Sequence, residues 1–572
     1  MASTPSSLSP IQRFWGLLKP DRQEIFSIYI YAIFNGLVNL SLPLGIQAII
    51  NFVSGGQMST TWLILVAFVI AGIGIGGVMQ VMQLTIVENL QRKIFTRSAF
   101  EFSYRIPKMK WESLGKYYPP ELINRFFDTL TIQKGLSKIL IDLPTATLQI
   151  LFGFILLSFY HPFFIVFSLI LVSVLALIFA FSVPSGLKSS LKESKYKYEV
   201  AFWLEEVART MQTFKLAGHT NLPLKKTDEN VQNYLQARKS HFRILVFQFF
   251  NLIGFKMIIS GALLILGGVL VMDQRLNIGQ FVAAEILIVL MINSIEKVIL
   301  SMENIYDVLT AVEKLGYVMD LPLEEEKGVE IPSIKNGMDI QVSRLGFRFP
   351  HSEKNSLNDV SFEIKAGEKI CILGESGSGK SILLQLISGL YPEFEGAISY
   401  NRIPLGNLNL HFIRDLISYS FAKESIFKGT IAENITVGKE HHSLESIQKA
   451  AEITGLSEFI TESKEGYATE LLPEGRTLSG TVVNQITMAR CVVGNPPVMI
   501  LENNVTSLSE KNRQTFLQHI LAKSNPSTVI IAMDKTLEED IFDRYFVMKN
   551  GVLVFQGGYS EALAHFETGK RL

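Results

Sequence analysis

Two long stretches without charged residues constrain this chain most. Residues 25–87 contain no Asp, Glu, Lys or Arg, and residues 143–187 contain none either. A membrane-spanning helix needs about 20 apolar residues, so each stretch has room for two spans and a short connection. A soluble protein is therefore excluded. The pattern predicts a multi-domain membrane protein whose all-α transmembrane region has six spans, near residues 25–53, 62–86, 138–160, 162–183, 245–272 and 277–299.

The connections between these spans predict the orientation. Residues 54–61, 160–162 and 273–277 are short and contain one basic residue, Arg275, whereas residues 87–137 and 184–244 are long and rich in Lys and Arg. Basic loops are retained in the cytoplasm, so we expect the long, mostly helical connections and both termini to be cytoplasmic. Residues 1–22 are polar with a Trp/Leu patch and are predicted to form a short amphipathic elbow on the membrane surface.

Two charged residues, Lys256 and Glu285, are notable within the predicted spans. Charged residues inside a membrane are functional by default. Their positions along adjacent spans differ in depth, which argues against a direct ion pair between them. Lys256 is expected to extend toward the cytoplasmic surface. Glu285 either faces a wet cavity on a transport path or packs against another helix.

The net charge and the two cysteines give no support for a nucleic-acid-binding protein, a disulfide-rich protein or a metal-binding protein. The net charge is zero, so no overall electrostatic attraction favours a nucleic-acid partner. The two cysteines, Cys371 and Cys491, support neither a disulfide framework nor a metal site. Residues 321–337 are rich in acidic residues, Pro and Gly and are interpreted as a linker between the transmembrane domain, residues 23–320, and a soluble α/β domain, residues 338–572. In that domain the strand-like runs 369–373, 498–501 and 528–532 alternate with helical segments.

The stretch ICILGESGSGKSILL, residues 370–384, indicates a phosphate-binding loop. It contains G-x-x-x-x-G-K-[ST] between a strand and a helix. In such a loop, backbone N–H groups surround the phosphates, the lysine reaches the β- and γ-phosphates, and the hydroxyl ligates Mg²⁺. The sequence therefore predicts that ATP and Mg²⁺ bind at Gly374, Gly377, Gly379, Lys380 and Ser381.

Six spans with long cytoplasmic extensions, followed by this loop, resemble an ABC exporter half-transporter. Further segments carry the resemblance: LGFRFP, FKGTIAENI, TLSG and DRYFVMKNGVLVFQGGYSEAL. The segment LNIGQFVAAEIL more loosely resembles hemolysin- and bacteriocin-type exporters, and we expect no N-terminal peptidase domain. The resemblance implies that Phe349 stacks on adenine and that Ser479 and Gly480 belong to the signature motif. It also implies short coupling helices near Tyr117–Asn124 and Thr213–His219.

Several positions depart from the family pattern, and all lie where the γ-phosphate is expected. In VMILENNVTSLSE the metal-binding acid is Glu502, but Asn503 replaces the glutamate that activates water. General-base help is typically worth ~10²–10⁴-fold in rate, and Asn503 cannot accept a proton. Thr481 and Val482 alter the signature motif. The expected switch histidine, glutamine and D-loop aspartate are replaced by Met533, Ala422 and Ser509.

The sequence therefore predicts a site that binds ATP but hydrolyses it poorly. One hypothesis is an ATP-binding exporter subunit in the bacterial inner membrane, with a second ABC half-transporter that supplies turnover. A heterodimer is favoured, although a homodimer stays open, and a membrane-fusion adaptor is a further candidate partner. The alternative is a non-hydrolytic, nucleotide-gated regulator, channel or scaffold of a secretion complex. Beyond these proteins, the lipid bilayer is the expected partner.

Overall fold

The computed structural model describes residues 8–55, 60–116, 119–331, 334, 336–350, 352–421, 426–535 and 540–568. The chain divides into two compact units. The first comprises Met1–Pro107 and Tyr117–Leu321, and the second comprises Lys108–Lys116 and Pro322–Leu572. Lys108–Lys116, in the middle of the first long connection, therefore groups with the soluble part of the chain.

The first unit is helical. Its helices are α1 Pro10–Leu18, α2 Arg22–Asn39, α3 Ser41–Ser54, α4 Thr60–Arg105, α5 Pro119–Asn124, α6 Asp128–Ser137, α7 Leu143–Tyr160, α8 Phe163–Arg209, α9 Met211–Leu216, α10 Leu222–Met272 and α11 Ile278–Met319. Within the described residues, six helical segments are long and apolar enough to cross a membrane. The predicted six spans and the long helical extensions are thus confirmed.

Two of the spans are less regular than the sequence pattern suggests. The first span is divided between α2 and α3 at Leu40, three residues before Pro43. The third begins with α6, continues through one π-helical turn at Lys138–Asp142 and ends with α7, whose first turn contains Pro144. Proline lacks the N–H that a continuous helix uses, which accounts for the break at Leu40 and for the π-helical turn before α7.

Lys256 has a partner that the sequence analysis did not consider. Its ammonium group pairs with the carboxylate of Glu296 on α11, and about a third of each side chain is exposed (33% for both). Lys256 therefore pairs with Glu296 and not with Glu285, in agreement with the expectation for Glu285, and the extension of Lys256 toward the cytoplasmic surface stays a prediction. An ion pair removes much of the cost of holding each charge in an apolar region, which explains why both are retained.

The second unit is α/β. Its strands are β1 Ile340–Phe347, β2 Leu357–Ile364, β3 Lys369–Leu373, β4 Glu395–Tyr400, β5 Ile403–Pro404, β6 Ile417–Ser420, β7 Gly429–Thr430, β8 Glu470–Leu471, β9 Val498–Glu502, β10 Thr528–Met533, β11 Arg544–Lys549 and β12 Val552–Gly557. Its helices are α12 Lys380–Ile387, α13 Leu410–Leu416, α14 Ile431–Thr436, α15 Leu444–Thr454, α16 Ser457–Glu462, α17 Gly480–Val492, α18 Glu510–Ile520 and α19 Tyr559–Thr568.

The largest sheet in the described residues has the order β12-β11-β3-β10-β9-β6. Its central strands, β3, β10 and β9, are parallel and every residue in them is buried. Alternate residues of a strand point to opposite faces. Accordingly, Cys371 and Leu501 pack into one hydrophobic cluster, whereas Ile372 and Ile500 pack into another on the opposite face. The predicted strand runs at 369–373, 498–501 and 528–532 are confirmed.

Candidate nucleotide-binding site

Three neighbouring strands bring their carboxyl ends together at one edge of the large sheet. β10 lies between β3 and β9, with Met533 beside Leu373 and Ala532 beside Glu502. The residues that follow these strands therefore lie side by side at this edge. Ligands of open α/β sheets bind at the carboxyl ends of parallel strands.

The phosphate-binding loop follows β3 and leads into α12. Gly377 and Gly379 have φ values of 84° and 101°, in the left-handed region that favours glycine. A Cβ on Gly374 would overlap the hydroxyl of Ser378, and a Cβ on Gly379 would come within 2.8 Å of the Leu357 side chain. The loop is therefore shaped as the sequence predicts, and its backbone can approach a phosphate closely.

The ammonium of Lys380 lies inside this loop. Its Nζ is 2.7 Å from the carbonyl oxygen of Gly374, 3.0 Å from that of Glu375 and 3.3 Å from the hydroxyl of Ser378. A fourth acceptor, the Oδ1 of Asp534, lies at 2.8 Å, and the Lys380 side chain is only 5% exposed. The lysine is thus positioned at the loop, where it carries positive charge toward a bound phosphate.

The two predicted metal ligands lie together. The hydroxyl of Ser381, at the start of α12, donates a hydrogen bond to the carboxylate of Glu502, at the end of β9. Glu502 is 7% exposed. A hydroxyl and a carboxylate are hard oxygen donors of the kind that Mg²⁺ prefers, so the residues present fit this ion. Bound Mg²⁺ would supply positive charge to the phosphates.

Asn503 is fixed beside this pair. It has a φ of 51°, a left-handed conformation that asparagine tolerates better than most residues. Its backbone N–H donates to the carbonyl of Ala532 at 2.9 Å. Its side-chain Nδ2 donates to Oδ2 of Asp534 at 2.7 Å, and its Oδ1 accepts from the backbone N–H of Asp534 at 3.0 Å. The amide is therefore committed to Asp534 on both sides.

The other substituted positions lie at different places around the site. Met533 is 1% exposed and packs in the hydrophobic cluster with Leu373 and Leu501, so it offers no polar atom. Ser509 caps α18, where its hydroxyl accepts from the backbone N–H of Asn512 at 3.4 Å. Ala422 lies outside the described residues.

The signature segment begins α17. The hydroxyl of Ser479 caps this helix by accepting from the backbone N–H of Val482 at 3.3 Å. Ser479, Gly480 and Thr481 are exposed, and a Cβ on Gly480 would meet no atom within 4 Å. In this chain the segment therefore presents a free surface, away from crowding by its own domain.

The predicted adenine-stacking residue belongs to an aromatic group. The ring of Phe349 lies 5.1 Å from that of Phe347 and 5.8 Å from that of Tyr391, edge to face in both cases. The hydroxyl of Tyr391 accepts from the Trp111 indole at 3.0 Å. Phe349 is only half-buried, so one part of its ring is available to a planar ligand.

Comparisons with known proteins agree with this architecture. A family model for the ABC transporter transmembrane region matches residues 25–295, and a second, for the ABC transporter, matches residues 357–505. The chain belongs to the ABC transporters of the exporter type. Such a half-transporter binds ATP with Mg²⁺, in agreement with the phosphate-binding loop and with Ser381 and Glu502.

Individual proteins are similar to this chain in sequence or in fold. The Leukotoxin translocation ATP-binding proteins LktB of Mannheimia glucosida and Mannheimia haemolytica are each 29% identical to this ABC transporter over 340 residues. That match covers 59% of this chain, and the chain spans about half the length of these relatives (47%). In fold, the chain resembles a bacterial Atm1-family ABC exporter with ATP bound, with a TM-score of 0.79, 17% identity and coverage of 96% of this chain and 98% of that one.

One residue of this site, Asp534, is not among those predicted from the sequence. It follows the buried strand β10 directly and contacts both Lys380 and Asn503. The signal was present in the sequence, because TVIIAMD ends an apolar run with an acid in the same way as VMILE does. An acid in that place lies at the ligand-binding edge of the sheet.

Proposed function

We propose that this chain is the ATP-binding subunit of an exporter and that its own site hydrolyses ATP slowly. The observation that carries the proposal is Asn503. It stands directly after Glu502, where a general base is expected, and its amide is held by two hydrogen bonds to Asp534. An amide does not accept a proton from water, and loss of a general base costs ~10²–10⁴-fold in rate.

The binding parts of the site support retention of nucleotide. The loop glycines Gly377 and Gly379 have left-handed φ values, Lys380 lies inside the loop, and Ser381 donates a hydrogen bond to Glu502, and these observations support the proposal. Phe349 offers part of an aromatic ring for adenine. We propose that these residues hold MgATP while the chemistry is left to a second site.

A heterodimer explains this division of roles. In the family, each site combines the phosphate-binding loop of one chain with the signature segment of the other. Ser479 and Gly480 are exposed in this chain and can serve a partner's site, although Thr481 adds a side chain beside them. We propose that a second half-transporter with intact motifs supplies turnover. A homodimer would combine Asn503, Met533 and Thr481 in both sites and would turn over least.

The proposed setting is the bacterial inner membrane. The six spans, the short connections on one side and the basic connections on the other support a cytoplasmic location for both termini and for the nucleotide-binding domain. The likeness to leukotoxin translocation proteins supports export, with a membrane-fusion adaptor as a candidate partner. Docking of the segments near α5 and α9 onto a nucleotide-binding domain is the proposed route of coupling.

The deciding experiment measures ATP binding and hydrolysis by the purified full chain in lipid nanodiscs, alone and with candidate half-transporters. We expect ATP to bind, phosphate release to be barely above that of Lys380→Ala, and turnover to rise when a competent partner is added. Vigorous turnover by the chain alone, lost in Lys380→Ala, would overturn the proposal. Binding without turnover in any combination would support the non-hydrolytic alternative instead.

A further inference from the structure

The ammonium of Lys380 has more acceptors than it has protons. It carries three donors, and four acceptors lie within 3.3 Å, two of them backbone carbonyl oxygens of its own loop, from Gly374 and Glu375. Among these acceptors, the carboxylate of Asp534 is the one with a negative charge. The positive charge that the loop offers to phosphate is therefore already neutralised by a residue of this chain.

Asp534 is held in this position from two directions. It follows β10, the strand that lies between β3 and β9, so its backbone is next to the loop by the register of the sheet. Asn503 fixes the Asp534 side chain by donating a 2.7 Å hydrogen bond from Nδ2 to Oδ2. The backbone N–H of Asp534 donates in turn to Oδ1 of Asn503 at 3.0 Å. Oδ1 of Asp534 faces Lys380 at 2.8 Å. The Asp534 side chain is 43% exposed, and it cannot rotate away from Lys380 without breaking its hydrogen bond to Asn503.

This arrangement affects the binding of a nucleoside triphosphate and of a nucleoside diphosphate differently. The lysine of a phosphate-binding loop contacts the β- and γ-phosphates. A nucleoside triphosphate must bring its γ-phosphate to the ammonium that Asp534 occupies, and the two anions repel each other. A nucleoside diphosphate ends before that point and needs only the loop N–H groups and the side of the lysine nearest the β-phosphate.

We propose that Asp534 is a specificity-determining residue that makes this site favour a nucleoside diphosphate over the triphosphate, with Asn503 as its positioning residue. The inference rests on the proposed function in that it requires nucleotide to bind at Lys380. In addition to lacking a general base, Asn503 then has a second effect. Its amide holds the carboxylate of Asp534, which competes with the γ-phosphate for Lys380. The triphosphate binds fully only when Asp534 is displaced from Lys380.

Asp534 is less suited to act as a replacement base. Its Oδ1 accepts from Lys380 and its Oδ2 accepts from Asn503, so both oxygens are used. Hydrolysis data will separate the two roles, because loss of a base lowers phosphate release whereas loss of a competitor does not.

The test is equilibrium binding of ADP and of the non-hydrolysable analogue β,γ-methylene-ATP to the full chain in nanodiscs with Mg²⁺. We expect wild-type protein to bind ADP at least as tightly as the analogue. In Asp534→Asn, which keeps the shape and removes the charge, we expect affinity for the analogue to rise at least about tenfold, with a smaller change for ADP. Asn503→Ala should shift the ratio in the same direction. Asp540→Asn, an exposed residue, is the charge-matched control and should leave it unchanged.

Each outcome has a separate meaning. If wild-type protein binds neither nucleotide, as is expected of Lys380→Ala, the proposed function fails. If wild-type protein binds both nucleotides and Asp534→Asn leaves their ratio unchanged, nucleotide binding stands and the role of Asp534 is refuted. If Asp534→Asn instead lowers ATP hydrolysis by the complex with a competent partner and leaves analogue affinity unchanged, Asp534 acts as a base and the specificity role is also refuted.

Discussion

Asn503 holds Asp534 by two hydrogen bonds, one from its side-chain Nδ2 to Oδ2 at 2.7 Å and one to its Oδ1 from the Asp534 backbone N–H at 3.0 Å. Asn503, which stands in place of the expected glutamate, thus links the end of β9 to the end of β10. Restoring a glutamate at this position would put two carboxylates against each other.

We expect Asn503→Glu to destabilise the nucleotide-binding domain by about 2 kcal/mol, because it breaks these bonds and places a less tolerant residue at a φ of 51°. Asp534→Asn in the same chain should recover part of the loss by removing the repulsion. Thermal unfolding of the single and double variants measures the coupling. Strictly additive effects would contradict direct contact between the two side chains.

Phe349 should contribute nucleotide affinity through its ring. Alanine at a position that stacks on a base costs ~1–3 kcal/mol, so Phe349→Ala is expected to weaken ADP binding by about tenfold or more. Phe349→Tyr keeps the aromatic face and should bind nearly as wild type. Titration of a fluorescent ADP analogue checks both variants. Equal affinity for Phe349→Ala and wild type would place adenine elsewhere.

The loop glycines should differ from one another. Gly379 has a φ of 101°, and a Cβ there would come within 2.8 Å of Leu357. Gly377 has a φ of 84°, and a Cβ there would meet no atom within 4 Å. Gly379→Ala should therefore lower nucleotide affinity and stability more than Gly377→Ala. Gly406→Ala, also with no atom within 4 Å, is the control and should be neutral. Binding titration and thermal unfolding rank the three, and the reverse order would contradict the loop geometry.

The ion pair of Lys256 and Glu296 should stabilise the transmembrane domain. Removal of one partner leaves a charge in an apolar region, so Lys256→Met or Glu296→Gln is expected to cost about 2 kcal/mol, below the figure for a fully buried pair since 33% of each side chain is exposed. The double variant should recover most of the stability. Lys239→Met, at an exposed place on α10, is the control. The readout is the midpoint of thermal aggregation in detergent, and a double variant as weak as the singles would refute the pairing.

Glu112 should make stability depend on pH. The carboxylate of Glu112 is half-buried. Burial, with the charge of Glu393 acting in the same direction, raises the pKa of Glu112 against the smaller lowering effects of backbone hydrogen bonds and of Lys110. For an acid whose folded pKa is raised, the penalty is absent below its unfolded pKa and grows as the pH rises through the folded pKa. Glu112→Gln should thus gain about 1 kcal/mol at pH 7.5 and nothing near pH 4.

Denaturant unfolding at both pH values tests this expectation, with the exposed residue in Glu353→Gln as the matched control. A gain that is equal at pH 4 and pH 7.5 would show that the effect of the substitution at Glu112 does not arise from its charge.

Much of the nucleotide site could be predicted because its parts are local in sequence. Gly374 to Ser381 are consecutive, and their spacing alone defines the loop. Glu502 is placed by a short apolar strand that precedes it. The roles of Phe349, Ser479 and Met533 are predicted by resemblance, which depends on order along the chain, and they stay predictions. These features need no knowledge of which distant segments meet.

Other features depend on register between distant segments. Asp534 contacts Lys380 because β10 lies between β3 and β9 and ends level with both. Lys256 meets Glu296 because α10 and α11 are packed at one relative height. A shift of a single strand residue or one helical turn would separate either pair, and such shifts leave the hydrophobic pattern of a fully buried strand unchanged.

By itself, the sequence determined six apolar spans, an α/β domain, a phosphate-binding loop and an asparagine, Asn503, directly after the acid that ends an apolar strand. Each follows from a property of neighbouring residues, namely hydropathy, charge or spacing. Only the tertiary structure decided that Asn503 contacts Asp534 and that Asp534 contacts Lys380. Side-chain contacts of a few ångströms between separate strands depend on sheet order and register, which the packing of the whole domain determines.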